Sequence, residues 1–244
     1  MMKNSANDII ERLKYFQKKS GFSEVNFLRD KDWSSTEYMR YRLYRPLIKM
    51  RYRYFRKKNN PTPWLSPAAT MFFDEWLSKD RIGAEFGSGI STVFFAKRSK
   101  EIVSIEHFEP WYTKVVDLFK EEGLTNIDYR FVEVLKNEDK SHSFPEKLKT
   151  YIDDPKSLDI KWEFENYFSV LQDFEDDYFD FVLVDGRARP ECVFYSLDKL
   201  RSGGLMVLDN SERARYSVVF KALSKWKNYT TSSGLTDTTF WVKP

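Results

Sequence analysis

The stretch RIGAEFGSGIST, residues 81–92, decides how this chain folds. Its apolar run ends in a turn with glycines at 87 and 89, and ISTVFFA then continues at helical spacing. A short buried strand that breaks at glycines and reopens as a helix is the first βα unit of a parallel sheet. The same alternation repeats downstream. EIVSIE (101–106), NIDYRFVEV (126–134), FDFVLVD (179–185) and GGLMVLD (203–209) read as further strands, separated by helical stretches at 110–122, 164–174 and 190–201. After a predicted helix over 213–226, NYTTSS and TTFWVKP flank GLTD and read as a hairpin at the sheet edge. The expectation is an α/β, doubly wound, mostly parallel seven-stranded sheet with an antiparallel C-terminal hairpin strand, its crossovers right-handed.

Working outward, Ser66 and Pro67 in WLSPAATMFFDEWLSK form a helix start, since serine caps the first amides and proline needs no amide partner there. That helix is predicted to end near Ser78. Before it, KKNNPTP (57–63) interrupts a helical N-terminal segment that contains Ile9, Ile10, Leu13, Tyr15 and Phe16, and a second helical stretch around Pro46. The chain thus divides into a basic helical extension, 1–60, and a sheet domain, 61–244. Residues 136–161 are polar and unassigned, and a loop of that length is lid or binding-loop material.

Composition removes several classes. At 41% hydrophobic and 17% aromatic residues, the 244-residue chain can fill a core. One cysteine, Cys192, leaves no internal disulfide and no zinc-ligand spacing. It reads as a small core residue, and His142 as a surface group. Charges run through the N-terminal segment, and no stretch approaches the roughly 20 apolar residues of a membrane span, so a cytoplasmic location is expected. The net charge is +3, yet residues 38–58 hold nine Lys or Arg and no acid. This block reads as a solvated helix with an aromatic face, as a track for nucleic-acid phosphates, or as a peripheral membrane contact.

The glycine turn discriminates among ligands. Dinucleotide turns read G-x-G-x-x-G, but Thr92 stands at the third position, and Glu85 at the strand end would repel a pyrophosphate. A cationic ligand would gain from that carboxylate. S-adenosylmethionine carries an ammonium and a sulfonium and no phosphate. Glu106 ends the next strand nineteen residues after Gly87, about where an acid receives ribose hydroxyls.

EFGSGIST, VSIEHF, FDFVLVDGR and GGLMVLDNSE, in this order, resemble the class I S-adenosylmethionine-dependent methyltransferases. With WLSP ahead of the glycine turn, residues 62–244 look like the bacterial small-molecule or glycan-associated members. The resemblance implies a Rossmann-like methyltransferase fold in which Glu85, Gly87 and Gly89 line the methionine end and Ser91 and Thr92 open the following helix. It further implies that Glu106 binds the ribose, that His107 or Phe108 borders the adenine, and that Asp185 touches the cofactor.

Methyl transfer to a hydroxyl needs a base or a metal to make the oxygen electron-rich. Asp185, Asp209 and Asn210 end the fourth and fifth strands and form a hard-oxygen set suited to Mg²⁺. The set is similar to that of catechol-type O-methyltransferases, although Ala188 stands where that family has lysine. Without a metal, Asp185 or Asp209 is the candidate base, Asn210 borders the acceptor, and Arg187 or Arg189 anchors an anionic group. Trp162, Tyr167 and Phe168 either roof the acceptor pocket or belong to the core.

Three functional readings follow. The first is an S-adenosylmethionine-dependent O-methyltransferase acting on a small molecule or saccharide. The second is a nucleic-acid methyltransferase guided by 38–58, disfavoured because VDGR replaces the Asn-Pro-Pro-Tyr-like segment of amino-directed base methyltransferases. The third is a non-catalytic binding or membrane-docking module. All three are compatible with a homo-oligomer.

Overall fold

A computed structural model describes residues 5–24, 34–135, 146–154 and 157–244. Its strands are β1 (Ile82–Phe86), β2 (Glu101–Glu106), β3 (Ile127–Phe131), β4 (Phe179–Val184), β5 (Leu200–Asp209), β6 (Lys227–Ser232) and β7 (Asp237–Val242). They form one sheet in the order β3-β2-β1-β4-β5-β7-β6. β1 to β5 are mutually parallel, and β7 runs antiparallel to both β5 and β6. The C-terminal hairpin lies at the sheet edge, as the sequence predicts, with its second strand beside β5 and its first strand, β6, outermost. Composition explains the choice, because β7 is buried at every position whereas β6 starts exposed at Lys227 and Asn228.

The helices are α1 (Ala6–Ser20), α2 (Ser35–Lys58), α3 (Pro67–Trp76), α4 (Ile90–Ala96), α5 (Glu109–Glu121), α6 (Glu146–Lys149), α7 (Glu165–Ser169), α8 (Arg189–Ser196) and α9 (Ser217–Ala222). β4 lies at the centre and alternates from Phe181 onward, after a register irregularity between Phe179 and Phe181. Phe181 and Leu183 pack towards Phe72 and Phe73 of α3 and Phe94 and Phe95 of α4, while Val182 and Val184 face α7 and α8. Both faces being covered, its sequence is a nearly continuous apolar run.

Ser66 caps α3, accepting from the Ala69 amide at 3.3 Å, with Pro67 in the first turn as the sequence predicts. α3 stops at Trp76, two residues early, because Leu77 is extended. α1 is core material as well as N-terminal segment: Ile9, Leu13 and Phe16 are buried with α3 and Phe240. Gln17, also buried, donates to Ser232 O at 3.1 Å and accepts from Ser232 N at 2.8 Å, closing the end of β6. α2 carries Pro46 inside a continuous helix and starts with a capping box of Ser34 and Glu37. The described residues contain no helix long and apolar enough to cross a membrane.

Candidate functional site

The strand order reverses between β1 and β4, and in open α/β sheets ligands bind beyond the carboxyl ends of strands at such a point. A cleft of about 990 Å³ opens there. Gly87 and Ser88 form its floor, Glu106 and His107 come from the end of β2, and Asp185 to Pro190 from the end of β4. Two glycines make the floor possible. Gly87 has φ +96°, and a side chain on it would meet the backbone of Gly186 at 3.0 Å. A β-carbon on Gly186 would lie 2.0 Å from the Tyr167 hydroxyl.

Glu106 is 4% exposed. Its Oε1 accepts from the amides of His107 (2.8 Å) and Phe108 (2.9 Å), and its Oε2 accepts from the amide and hydroxyl of Ser88 (3.3 and 3.1 Å). His107 Nδ1 lies 3.1 Å from Oε1. Burial opposes ionisation, but His107 and the two backbone amides outweigh it and hold the carboxyl below its usual range. Ser88 is tied further to Tyr129 (2.7 Å) and, through its carbonyl, to Trp111 Nε1 (2.9 Å). Sequence reasoning missed Ser88, Tyr129 and Trp111, whose approach depends on the packing of α5 on β3.

Glu85 is not on the cleft wall. It is fully buried under the turn, where its Oε1 accepts from Thr92 Oγ1 and from Ser104 Oγ (2.9 Å), and Thr92 Oγ1 accepts from the Gly89 amide (3.0 Å). Its Oε2 has no hydrogen-bond partner among the described residues. Burial therefore pushes the carboxyl up to about 7, the hydroxyls of Thr92, Ser104 and Ser91 pulling against it. Gly89 and Ser91 likewise lie outside the lining. Glu85, expected at a ligand, instead braces the glycine turn from beneath.

Arg189 corrects the expectation of a free anion anchor. It is 7% exposed and spends four of its five donors on the protein: on Gly186 O (3.0 Å), Asp209 O, Asp185 O (2.7 Å) and Asp185 Oδ1 (2.8 Å). It clamps the end of β4 to the end of β5. Asp209 lies behind Asp185, 2% exposed, with Oδ1 accepting from Thr238 Oγ1 at 2.8 Å. Burial, then the neighbouring Asp185, pushes Asp209 well above its ordinary range. Burial raises Asp185 too, with the charge and hydrogen bond of Arg189 pulling the other way.

The Mg²⁺ set is not assembled. Asp185 is paired with a guanidinium, and Asn210, at φ +49°, turns its amide to Thr236 (2.7 Å) while its oxygen accepts from Arg213 (3.1 Å). A bound arginine is the wrong neighbour for a dication, and the described residues hold no group of three or more His, Cys, Asp or Glu placed for a metal ion. Asn210 and Asp209 do not line the cleft either.

Arg187 does line it, is exposed, and has no side-chain partner among the described residues. Arg213 and Arg215 join it from the far side, and Ser157, Leu158, Asp159, Lys161, Glu163 and Phe164 close the remaining wall, with Phe164 edge-on to His107 at 5.4 Å. The sequence flagged the insertion as binding-loop material without resolving these residues; its part over 136–145, with His142, lies outside the described residues. Tyr167 and Phe168 are fully buried in the core, and Trp162 does not line the cleft. Burial pushes the Cys192 thiol well above its ordinary value, as expected of a core cysteine.

No protein-family model matches the chain, and no curated protein matches it. Among solved structures it is similar to a methyltransferase-like protein from Silicibacter pomeroyi, at 20% identity over 67% of this chain and 79% of that one, with a TM-score of 0.48. An rRNA methylase from Streptococcus thermophilus aligns at 13% identity over 72% and 95% of the two chains, TM-score 0.49. A precorrin 8W decarboxylase from Methanobacterium thermoautotrophicum aligns at 12% identity over 76% and 95%, TM-score 0.49. Likenesses this distant carry no argument about activity, which has to come from the cleft.

Proposed function

We propose that this chain is an S-adenosylmethionine-dependent methyltransferase that O-methylates an anionic small molecule or saccharide. The observation that carries the reading is the ionised, nearly buried Glu106 on the inner wall, beside the Gly87-Ser88 floor at the reversal of strand order. The chemistry of this wall fits a ligand that offers hydroxyl donors. The turn departs from a pyrophosphate-binding one in its third glycine position, where Thr92 stands with its hydroxyl turned beneath the turn to Glu85 and the Gly89 amide.

In this reading Glu106 accepts the ribose hydroxyls, Gly87 and Ser88 let the ligand approach the backbone, and His107 borders the base. When bound, S-adenosylmethionine supplies an electrophilic methyl group. Asp185, on the cleft wall, takes the proton of the acceptor hydroxyl. Arg189, clamped across the two strand ends, holds that carboxylate in place. Arg187, with Arg213 and Arg215 across the cleft, holds the acceptor's anionic group.

Isothermal titration with S-adenosylhomocysteine, with NAD⁺ in a parallel run, tests the reading. Binding of the former alone is the expected outcome. Binding of NAD⁺ alone, or of neither, would overturn it.

A further inference from the structure

The outer surface of α2 is not explained by the cleft. At 100° per residue, Met39, Leu43, Leu47, Met50 and Tyr54 fall within about 80° of one another and form one stripe along a helix about 36 Å long. All five are exposed, Leu43 at 71% and Met50 at 64%. Exposed Arg42, Lys49 and Arg53 border the stripe on one side and Arg40 on the other. The opposite face is occupied: Tyr41 is buried, Tyr52 donates to Leu65 O at 2.8 Å, and Phe55 packs edge-on against Phe22 at 6.2 Å. The stripe is thus displayed by a helix whose inner side is anchored to the domain.

An apolar band bordered by cations on both sides matches a surface that is apolar just beneath an anionic layer. We propose that α2 is a docking helix for anionic phospholipid membranes, lying in the plane of the interface with the stripe among the acyl chains and the arginines and lysines at the headgroups. Charge selects this occupant. A second copy would place nine cations against nine, with Glu37 as the helix's single acid. A nucleic-acid backbone would meet Leu43, Leu47 and Met50 at the centre of contact, where phosphates gain nothing. The proposal does not rest on the methyltransferase reading.

The test is sedimentation of the full chain with vesicles of neutral phosphatidylcholine and with vesicles containing 30% phosphatidylglycerol, at about 0.1 M and 0.5 M salt. The expected result is binding to the anionic vesicles, weakened by salt, and little binding to the neutral ones. Two triple variants separate the two components. Leu43→Ser/Leu47→Ser/Met50→Ser removes the stripe, and Arg42→Gln/Lys49→Gln/Arg53→Gln should lower partitioning on the order of 100-fold, from roughly 1 kcal/mol for each cation near the surface. All six side chains are exposed, so circular dichroism and Tm should stay unchanged. Absence of binding to anionic vesicles would overturn the proposal. So would binding that survives loss of the stripe, RNA binding in its place, or a dimer that the serine variant dissociates.

Discussion

Glu106 ends β2 and Glu85 stands one residue before the end of β1, yet their surroundings push the two carboxyls in opposite directions. Glu106 is ionised because amides and His107 face it, so Glu106→Gln should weaken S-adenosylhomocysteine binding about 10- to 100-fold, the scale of a hydrogen bond to a charged group. Titration calorimetry reads this, and an unaltered affinity would remove the ribose assignment. Glu85 is raised to about 7 by burial, and for an acid the sign follows directly. Between roughly pH 4.5 and 7 the folded chain holds a proton that the unfolded chain has lost, so stability falls as pH rises through that window and levels off above it. The cost is on the order of 3 kcal/mol. Urea melts of Glu85→Gln should gain on the native chain from pH 4.5 to 7 and track it below. A third residue tests the floor: Gly186→Ala drives a methyl into the Tyr167 hydroxyl and should cost about 3 kcal/mol, partly restored by adding Tyr167→Phe.

At the level of elements, strands and turns were legible because period-two apolar runs and glycine breaks are local properties. β2 matches its predicted bounds, EIVSIE, and the Ser66-Pro67 start of α3 was readable for the same reason. What a carboxylate faces is not local. Glu85 reads as a ligand contact by position, but only the packing of Thr92 and Ser104 shows that it is sealed beneath the turn. Arg189 reads like Arg187 in sequence, two residues apart at the start of α8, yet one guanidinium points into carbonyls from two strand ends and the other into the cleft. The same holds for α1, whose Ile9, Leu13 and Phe16 announce an amphipathic helix but not its partner. Leu13→Ala should cost about 2–5 kcal/mol in chemical denaturation, the range for a buried leucine, whereas a detached extension would lose almost nothing.

For the whole molecule, a ligand that binds only the folded chain must raise its melting temperature. S-adenosylhomocysteine at 100 times its Kd should add about 2.7 kcal/mol, or roughly 5–10 °C for a domain of this size. Differential scanning fluorimetry checks it, and Mg²⁺ alone should leave Tm unmoved because its expected ligands are bound to arginine, threonine and one another. Sheet closure has a consequence in time. Gln17 and the Ser232 backbone it fastens are 215 residues apart, so the seat of α1, begun on α3, is complete only once β6 is in place, and contacts so distant in sequence are costly to close early. α1 is therefore expected to dock after the rate-limiting barrier, so that Gln17→Ala and Leu13→Ala speed unfolding while leaving the refolding rate nearly as it was. The helix made first would be the last to settle, and its lifetime on the sheet would set how long the native state persists.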